Sequence, residues 1–427
     1  MKDTMDKWAE PDLQSLEKDL ARDYELTGAN RLTLDLSRGK PAPEQLSLSE
    51  GLESTINGDY IAADGTDTRN YGGLRGLAEA RELGAELLGV PAEAVSAGGN
   101  SSLFLMHLTV DTAVQHGLWG DSRKWSNHSA PKLIAVVPGY DRHFALTEAL
   151  GIGMVNVDMT ENGPDMEQVR TLVEGDESIK GIWCVPKYSN PTGCVYDDAT
   201  VTALAELPSQ AAANDFLVLW DNAYAVHDLN MPAPQLASIY SAAQKAGTSD
   251  HIVQFASTSK ITFAGSGVAF VASSETVLKS LDERMGFMMI GPDKVNQLRH
   301  CRFLRGRMAE HMQAHANILT PKFELVEQVL SEELGGLGIA SWTRPLGGYF
   351  VSLDLMPGLA RQVIDMAKSV GLTLTPAGAT FPYQQDPADR NVRIAPTFAD
   401  LEELRAAMQI LTLCVKLASV RELMSKK

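Results

Sequence analysis

Cysteine is scarce in this chain: four residues, Cys184, Cys194, Cys301 and Cys414, in a length of 427. They are scattered, with no paired spacing, which argues against a disulfide-stapled secreted fold and against a cysteine-bound metal centre. Long apolar runs are missing too. Nowhere do about 18 consecutive apolar residues occur, the length a membrane-crossing helix needs. The first fourteen residues are polar and of mixed charge, without the apolar stretch of a signal peptide. Basic residues are in deficit, 37 against 54 acidic ones, a net charge of −17. An acidic surface of that size repels phosphate backbones and anionic lipid, so nucleic acid and membranes are poor partners. The scattered cysteines and the lack of a signal-like or membrane-crossing run make the cytoplasm the expected location. Internal repeats, a Gly-x-Ser-x-Gly elbow, a Walker loop and His-Glu-x-x-His are all absent. The nine histidines, His143, His227 and His300 among them, form no ligand pattern, so no metal is expected.

What remains is an ordinary globular composition, 44% hydrophobic and 21% charged. The length is too great for one core, so two packed domains are expected. Between residues 133 and 272 short apolar runs rich in β-branched residues alternate with helical patterns. The runs 133–137, 153–157, 181–185, 216–220, 251–255 and 267–272 read as buried strands. Helical patterns at 142–150, 165–172 and 199–207 fall between several of them. That alternation predicts an α/β fold, a mostly parallel sheet covered by helices on both faces. From about residue 308 the pattern changes to a long helix over 311–330, a strand near 348–353, and helices at 359–370 and 400–417. The predicted division is a large domain over 51–310 and a smaller α+β domain over 311–427. An N-terminal segment, 1–50, is expected to pack on the smaller domain.

Ligands of an open parallel sheet bind at the carboxyl ends of its strands, so the residues following each run matter most. Tyr140 follows the first run, and Ser189-Asn190-Pro191-Thr192-Gly193 comes after the third. Asp221-Asn222-Ala223-Tyr224 follows the fourth, and Ser257-Thr258-Ser259-Lys260 the fifth. Each piece alone is commonplace: Asn-Pro-Thr-Gly is a turn, Asp221 a strand-end cap, Tyr140 a core aromatic. Arriving together at one rim, they are the inventory that pyridoxal phosphate requires. A semi-buried lysine amine, here Lys260, forms an imine with the cofactor aldehyde. A buried carboxylate, Asp221, keeps the pyridine nitrogen protonated, which makes the ring an electron sink. Asn190 and Tyr224 can donate to the ring's phenolate oxygen, and Tyr140 can stack on its face. Gly98-Gly99-Asn100-Ser101-Ser102 before an apolar helix offers a turn and a helix N-terminus for the phosphate, with Ser257 and Ser259 as further donors. Gly265-Ser266-Gly267 resembles a dinucleotide turn but lacks the third glycine and follows the wrong element.

Asn-Pro-Thr-Gly, then Asp-x-x-Tyr, then Ser-x-Ser-Lys, in that order, resembles the signature of fold-type I, class I/II aminotransferases, and the likeness covers nearly the whole chain. Tyr71-Gly72-Gly73-Leu74-Arg75-Gly76 is similar to the family segment whose tyrosine reaches the phosphate of the neighbouring subunit. Gly347-Gly348-Tyr349-Phe350 is similar to its small-domain strand, and Asn391-Val392-Arg393-Ile394 to the strand whose arginine clamps the substrate α-carboxylate. Ser37-Arg38-Gly39-Lys40-Pro41, Pro186-Lys187-Tyr188-Ser189 and Lys260-Ile261-Thr262-Phe263 resemble a divergent bacterial branch of aspartate aminotransferases, type Ic. One departure stands out. The family usually continues past the lysine to Gly-x-Arg, whose arginine pairs the phosphate, whereas this chain reads Gly265-Ser266-Gly267-Val268.

The resemblance implies ping-pong transamination between L-aspartate and 2-oxoglutarate in a homodimer. Arg393 would hold the α-carboxylate with Asn190 and the Gly39 backbone, and Lys260 would shuttle the α-proton. A dicarboxylate needs a second cation at its far end. Arg38, Lys40, Arg142 and Lys187 all fall near the site segments, and the sequence leaves the choice open. Aromatic, alanine or kynurenine specificity, or a lyase or synthase of the same fold, are the alternatives. A non-catalytic pyridoxal-sensing module would need a DNA-binding domain, for which about thirty residues ahead of Ser37 are too few.

Overall fold

A computed structural model describes residues 4–29 and 33–427. Parts of the 1–50 segment, residues 1–3 and 30–32, lie outside the described residues. In chain order β1 is Leu34–Asp35, β2 Val95–Ala97, β3 Lys132–Val137, β4 Gly153–Thr160, β5 Gly163–Pro164, β6 Ile179–Cys184 and β7 Leu217–Asp221. There follow β8 Ile252–Ser257, β9 Ala269–Ala272, β10 Ala340–Trp342, β11 Val351–Leu355, β12 Leu372–Thr373 and β13 Asn391–Ile394. Eight of them form one sheet in the order β2-β9-β8-β7-β6-β3-β4-β5. The five central strands, β8, β7, β6, β3 and β4, run parallel, as the strand and helix alternation predicts. The edges do not: β9 is antiparallel to β8 and to β2, and β5 folds back on β4. The reason lies in connection length. A parallel return needs a crossover of a dozen or more residues, usually through a helix, and β8 joins β9 through residues 258–268, which form no helix. That loop carries Lys260.

Successive residues of the central strands point to opposite faces, and both faces are buried. Ile182, Val218 and Trp220 pack with Val201 and Leu204 of the helix Asp198–Gln210. Trp183, Leu217 and Leu219 pack on the other side with Leu105 and Leu108 of the helix Ser102–Gln115. This two-sided burial explains why the strands read as near-continuous apolar runs.

A second core gathers Leu13 and Leu20 of the helix Glu10–Ala29, Leu330 of Met308–Leu334, Leu411 of Leu401–Ser425, and Leu353 and Ile394 of the small antiparallel sheet β10-β11-β13. In that sheet Ser352 pairs with Arg393. β1 runs parallel to β12, with Leu34 opposite Leu372, and the chain leaves β1 into the loop that holds Ser37 and Gly39. Among the described residues no helix is long and apolar enough to cross a membrane.

Candidate active site

The carboxyl ends of β3, β6, β7 and β8 open on one niche. Ser101, Ser102, Tyr140, Arg142, Asn190, Asp221, Tyr224, Ser257, Ser259 and Lys260 line it together. A larger cleft of about 830 Å³ continues from it past Ser37, Arg38, Gly39, Asp141, Phe350 and Arg393. Lys260, Asn190, Tyr140 and Tyr224 border both, so the rim constellation read from the sequence is one place in space.

Lys260 sits three residues past the end of β8, with its ammonium 5.0 Å from the centre of the Tyr224 ring. Burial lowers its pKa below that of an ordinary lysine, although the charge of Asp221 pulls the other way. Its backbone is held firmly. His227 Nε2 donates to the Lys260 carbonyl at 3.3 Å, and the Tyr349 hydroxyl reaches the same oxygen at 3.4 Å. The neighbouring Ile261 carbonyl accepts from His311 and His315 at 2.7 and 2.9 Å.

Asp221 ends β7 and is 2% exposed. Its Oδ2 accepts from His143 Nε2 at 2.9 Å, while Oδ1 is buried with no hydrogen-bond partner among the described residues. An unpaired buried carboxylate oxygen is costly, on the order of 1–3 kcal/mol or more, so the niche is built for a donor that the chain does not supply. A pyridinium N–H is such a donor. His143 is itself fixed, its ring stacked on Trp183 at 4.2 Å and 11°. Sequence reasoning passed over His143. It stands three residues after Tyr140 in the first turn of the helix Asp141–Ala149, a spacing that puts both rings on one side, 4.9 Å apart. Burial raises the Tyr140 phenol well above its usual range, with the Asp221 charge adding to the effect, and burial does the same to Tyr224.

The phosphate end is equally open. Ser101 caps the helix Ser102–Gln115 without a side-chain hydrogen bond, which leaves first-turn N–H groups to be met by a ligand. Gly99 supplies the turn with φ +67°, and the segment is tied across the sheet edge by the bond from Ala269 N to Gly99 O at 3.1 Å. Asn100 turns away from the niche, its amide donating to the Gly265 carbonyl at 3.3 Å. The Ser259 hydroxyl donates to the Asn100 carbonyl at 3.0 Å, so Ser257 and the helix end are the freer donors here. These residues together fit pyridoxal phosphate: an acceptor for the ring nitrogen, a lysine, and backbone donors for the phosphate.

Arg393, on β13, is 6% exposed. Its Nη1 donates to Asp141 Oδ1 at 2.8 Å and to Asn190 Oδ1 at 3.3 Å, its Nε lies 3.3 Å from the Thr375 hydroxyl, and its plane lies over Phe350 at 4.9 Å. Phe350 in turn packs so closely on Gly39 that a Cβ there would come within 2.4 Å of the ring. With the Asn190 carbonyl engaged by Arg393, the amide nitrogen of Asn190 is the end left to donate. Neither Asp141 nor Thr375 was singled out by the sequence. Tyr71 stands apart. It is 80% exposed and does not line the niche of its own chain.

The four candidate cations separate by their surroundings. Lys187 is buried, ion-paired with Asp228 at 2.8 Å, and donates to the Ala225 carbonyl. Lys40 sits 3.8 Å over the Phe398 ring. Arg38 and Arg142 line the cleft, and Arg142 alone of the four also lines the niche beside Lys260.

The family profile and the close relatives, on top of the sheet order, define an aminotransferase of fold type I, a class whose members use pyridoxal phosphate. The chain belongs to the aspartate aminotransferase family, whose profile, described as aspartate amino-transferase, matches residues 9–427. A Mycolicibacterium smegmatis protein, provisionally named an aminotransferase, is 48% identical over 95% of this chain and 96% of its own length. An aspartate aminotransferase of Corynebacterium glutamicum is 43% identical, covering 94% of this chain and 93% of that protein. A solved structure of an aspartate transaminase from Corynebacterium glutamicum superposes with a TM-score of 0.95 at 41% identity, covering 99% of this chain and all of the other.

Proposed function

We propose that this enzyme transfers the amino group of L-aspartate to 2-oxoglutarate, with pyridoxal phosphate carried on Lys260. The observation that carries the reading is the unpaired Oδ1 of buried Asp221, a residue that lines the same niche as a lysine whose basicity burial has lowered. Bound there, pyridoxal phosphate supplies an aldehyde and a protonated ring that withdraws electrons from the substrate α-carbon. Asp221 Oδ1 would accept the ring N–H, and His143 keeps that carboxylate in place through Oδ2. Tyr224 and the Asn190 amide would donate to the ring oxygen, Tyr140 would lie against the ring, and the Gly99 turn, the helix end at Ser101 and Ser257 would hold the phosphate, with Ser259 beside them. Arg393 holds the α-carboxylate, with Gly39 closing the cleft beside it. Once the substrate amine has replaced it on the cofactor, Lys260 Nζ, neutral more readily than an exposed lysine, would be free to move the α-proton. Water would release the donor as its oxo acid, and a second oxo acid would take up the amino group by the reverse sequence, giving the water back.

Arg142 is the cation we assign to the far carboxylate. It is exposed to the cleft, lines both chambers, and has no ion-pair partner among the described residues. The curated relative named aspartate aminotransferase, 43% identical over nearly the full length, supports the same substrate.

Tyr71, so exposed on its own chain, suits service to the phosphate of a neighbouring copy, so we take the active unit to be a homodimer. Four free cysteines, three of them buried, suit the reducing cytoplasm. The large domain is taken as 51–310 and the small one as 311–427, with 1–50 packed on the latter. The test is an assay of oxaloacetate formed from L-aspartate and 2-oxoglutarate by the purified holoenzyme. Turnover should exceed that with alanine, phenylalanine or kynurenine as donor by about tenfold or more in kcat/KM. Faster turnover of any of these would overturn the substrate assignment.

A further inference from the structure

The carboxylate on Arg393 comes from the protein itself. Asp141 follows Tyr140 directly and opens the helix Asp141–Ala149, so the turn that sets the tyrosine against His143 also delivers an acid to the arginine. Asp141 Oδ1 lies 2.8 Å from Arg393 Nη1. The substrate α-carboxylate is the same chemical group seeking the same guanidinium. A two-pronged carboxylate needs two N–H groups on one edge of the fork, and Asp141 and Asn190 already draw on Nη1 while Thr375 faces Nε.

The two partners differ in their freedom. The Arg393 side chain is 6% exposed and boxed in by Phe350, Thr375 and Asn190. The Asp141 side chain is 32% exposed and borders the cleft. When the pair parts, Asp141 is the one that can turn to water, where a carboxylate is well solvated. A bare guanidinium in the buried position would be strongly disfavoured, so Asp141 neutralises Arg393 for as long as the cleft is empty.

We propose that Asp141 is a resident stand-in for the substrate carboxylate, displaced from Arg393 each time an amino or oxo acid docks. It thereby sets the affinity for both substrates and helps expel the products. The inference rests on Arg393 being the α-carboxylate clamp.

Calorimetric titration of the holoenzyme with succinate, which has both carboxylates and no amino group, tests it without turnover. Asp141→Asn keeps the shape and removes the competing charge, and it should tighten succinate binding by roughly tenfold. Asp141→Ala should tighten it in the same direction. Unchanged or weaker binding in both variants would overturn the proposal and make Asp141 a support that orients Arg393. Arg393→Gln separates the two claims. It should weaken succinate binding by at least tenfold, and if it leaves binding untouched, the clamp itself is misassigned whatever the Asp141 variants do.

Discussion

At the scale of single residues, function here turns on which polar atoms are already satisfied. Lys187 and Lys40 have partners of their own, whereas Arg142 faces the cleft without one. Arg142→Gln should therefore raise KM for L-aspartate by about tenfold or more while leaving that for L-alanine within about twofold, since alanine has no second carboxylate. Steady-state kinetics with the two donors checks this, and an equal loss for both would remove Arg142 from the distal subsite. The sequence named Lys260, Asp221, Asn190, Tyr224 and Tyr140 because each follows an apolar run, and the fold brings all five to one niche. It gave no role to His143, Asp141 or Thr375. His143 and Asp141 lie in an unremarkable helical turn, and Thr375 reaches Arg393 only through tertiary packing across 18 residues.

At the scale of elements, the loop after β8 is the critical piece, and buried histidines pin its start. His227 and His315 donate to the carbonyls of Lys260 and Ile261, and burial pushes their pKa values down to about 3 and about 4. In the unfolded chain each would titrate near 6.5. Above that pH both states are neutral and the histidines add no pH dependence. As pH falls from 6.5 towards 4 the unfolded chain takes up protons that the folded chain refuses, so stability drops by about 1.4 kcal/mol per pH unit for each such group. The thermal midpoint should accordingly fall between pH 7 and pH 5. His227→Asn, whose amide can still donate to the Lys260 carbonyl, should fall less over the same interval. An identical drop in the variant would show that His227 is not one of the groups responsible. The parallel strands were legible because two-sided burial writes itself as continuous apolar runs. β9 was read as a strand over 267–272 but not as antiparallel, and β2 and β5 were not read at all, because strands of two or three residues carry too few positions for a period.

At the scale of the whole molecule, two cores meet across a cleft, and the two halves of the chemistry come from opposite banks. Asp221 ends a strand of the large sheet and Lys260 sits on the loop after β8, whereas Arg393 and Phe350 lie on the side of the second core. The stretch after Lys260 has no arginine, so on our proposal the phosphate relies on other donors, among them a tyrosine from a neighbouring copy. Tyr71→Phe should release cofactor more readily, with a several-fold higher dissociation constant read from dialysis against buffer. It should leave the dimer intact in sedimentation, since one exposed hydroxyl adds little to an interface. An active monomer would contradict that role.

The most direct measurement is the visible absorption spectrum of the purified holoenzyme before and after L-aspartate is added with no oxo acid present. The expected result is a yellow protein whose visible band collapses as the amino group is retained on the enzyme, with release of one equivalent of oxaloacetate. A yellow protein indifferent to aspartate would contradict the substrate, and a protein that stays colourless with added pyridoxal phosphate would contradict the role given to Lys260.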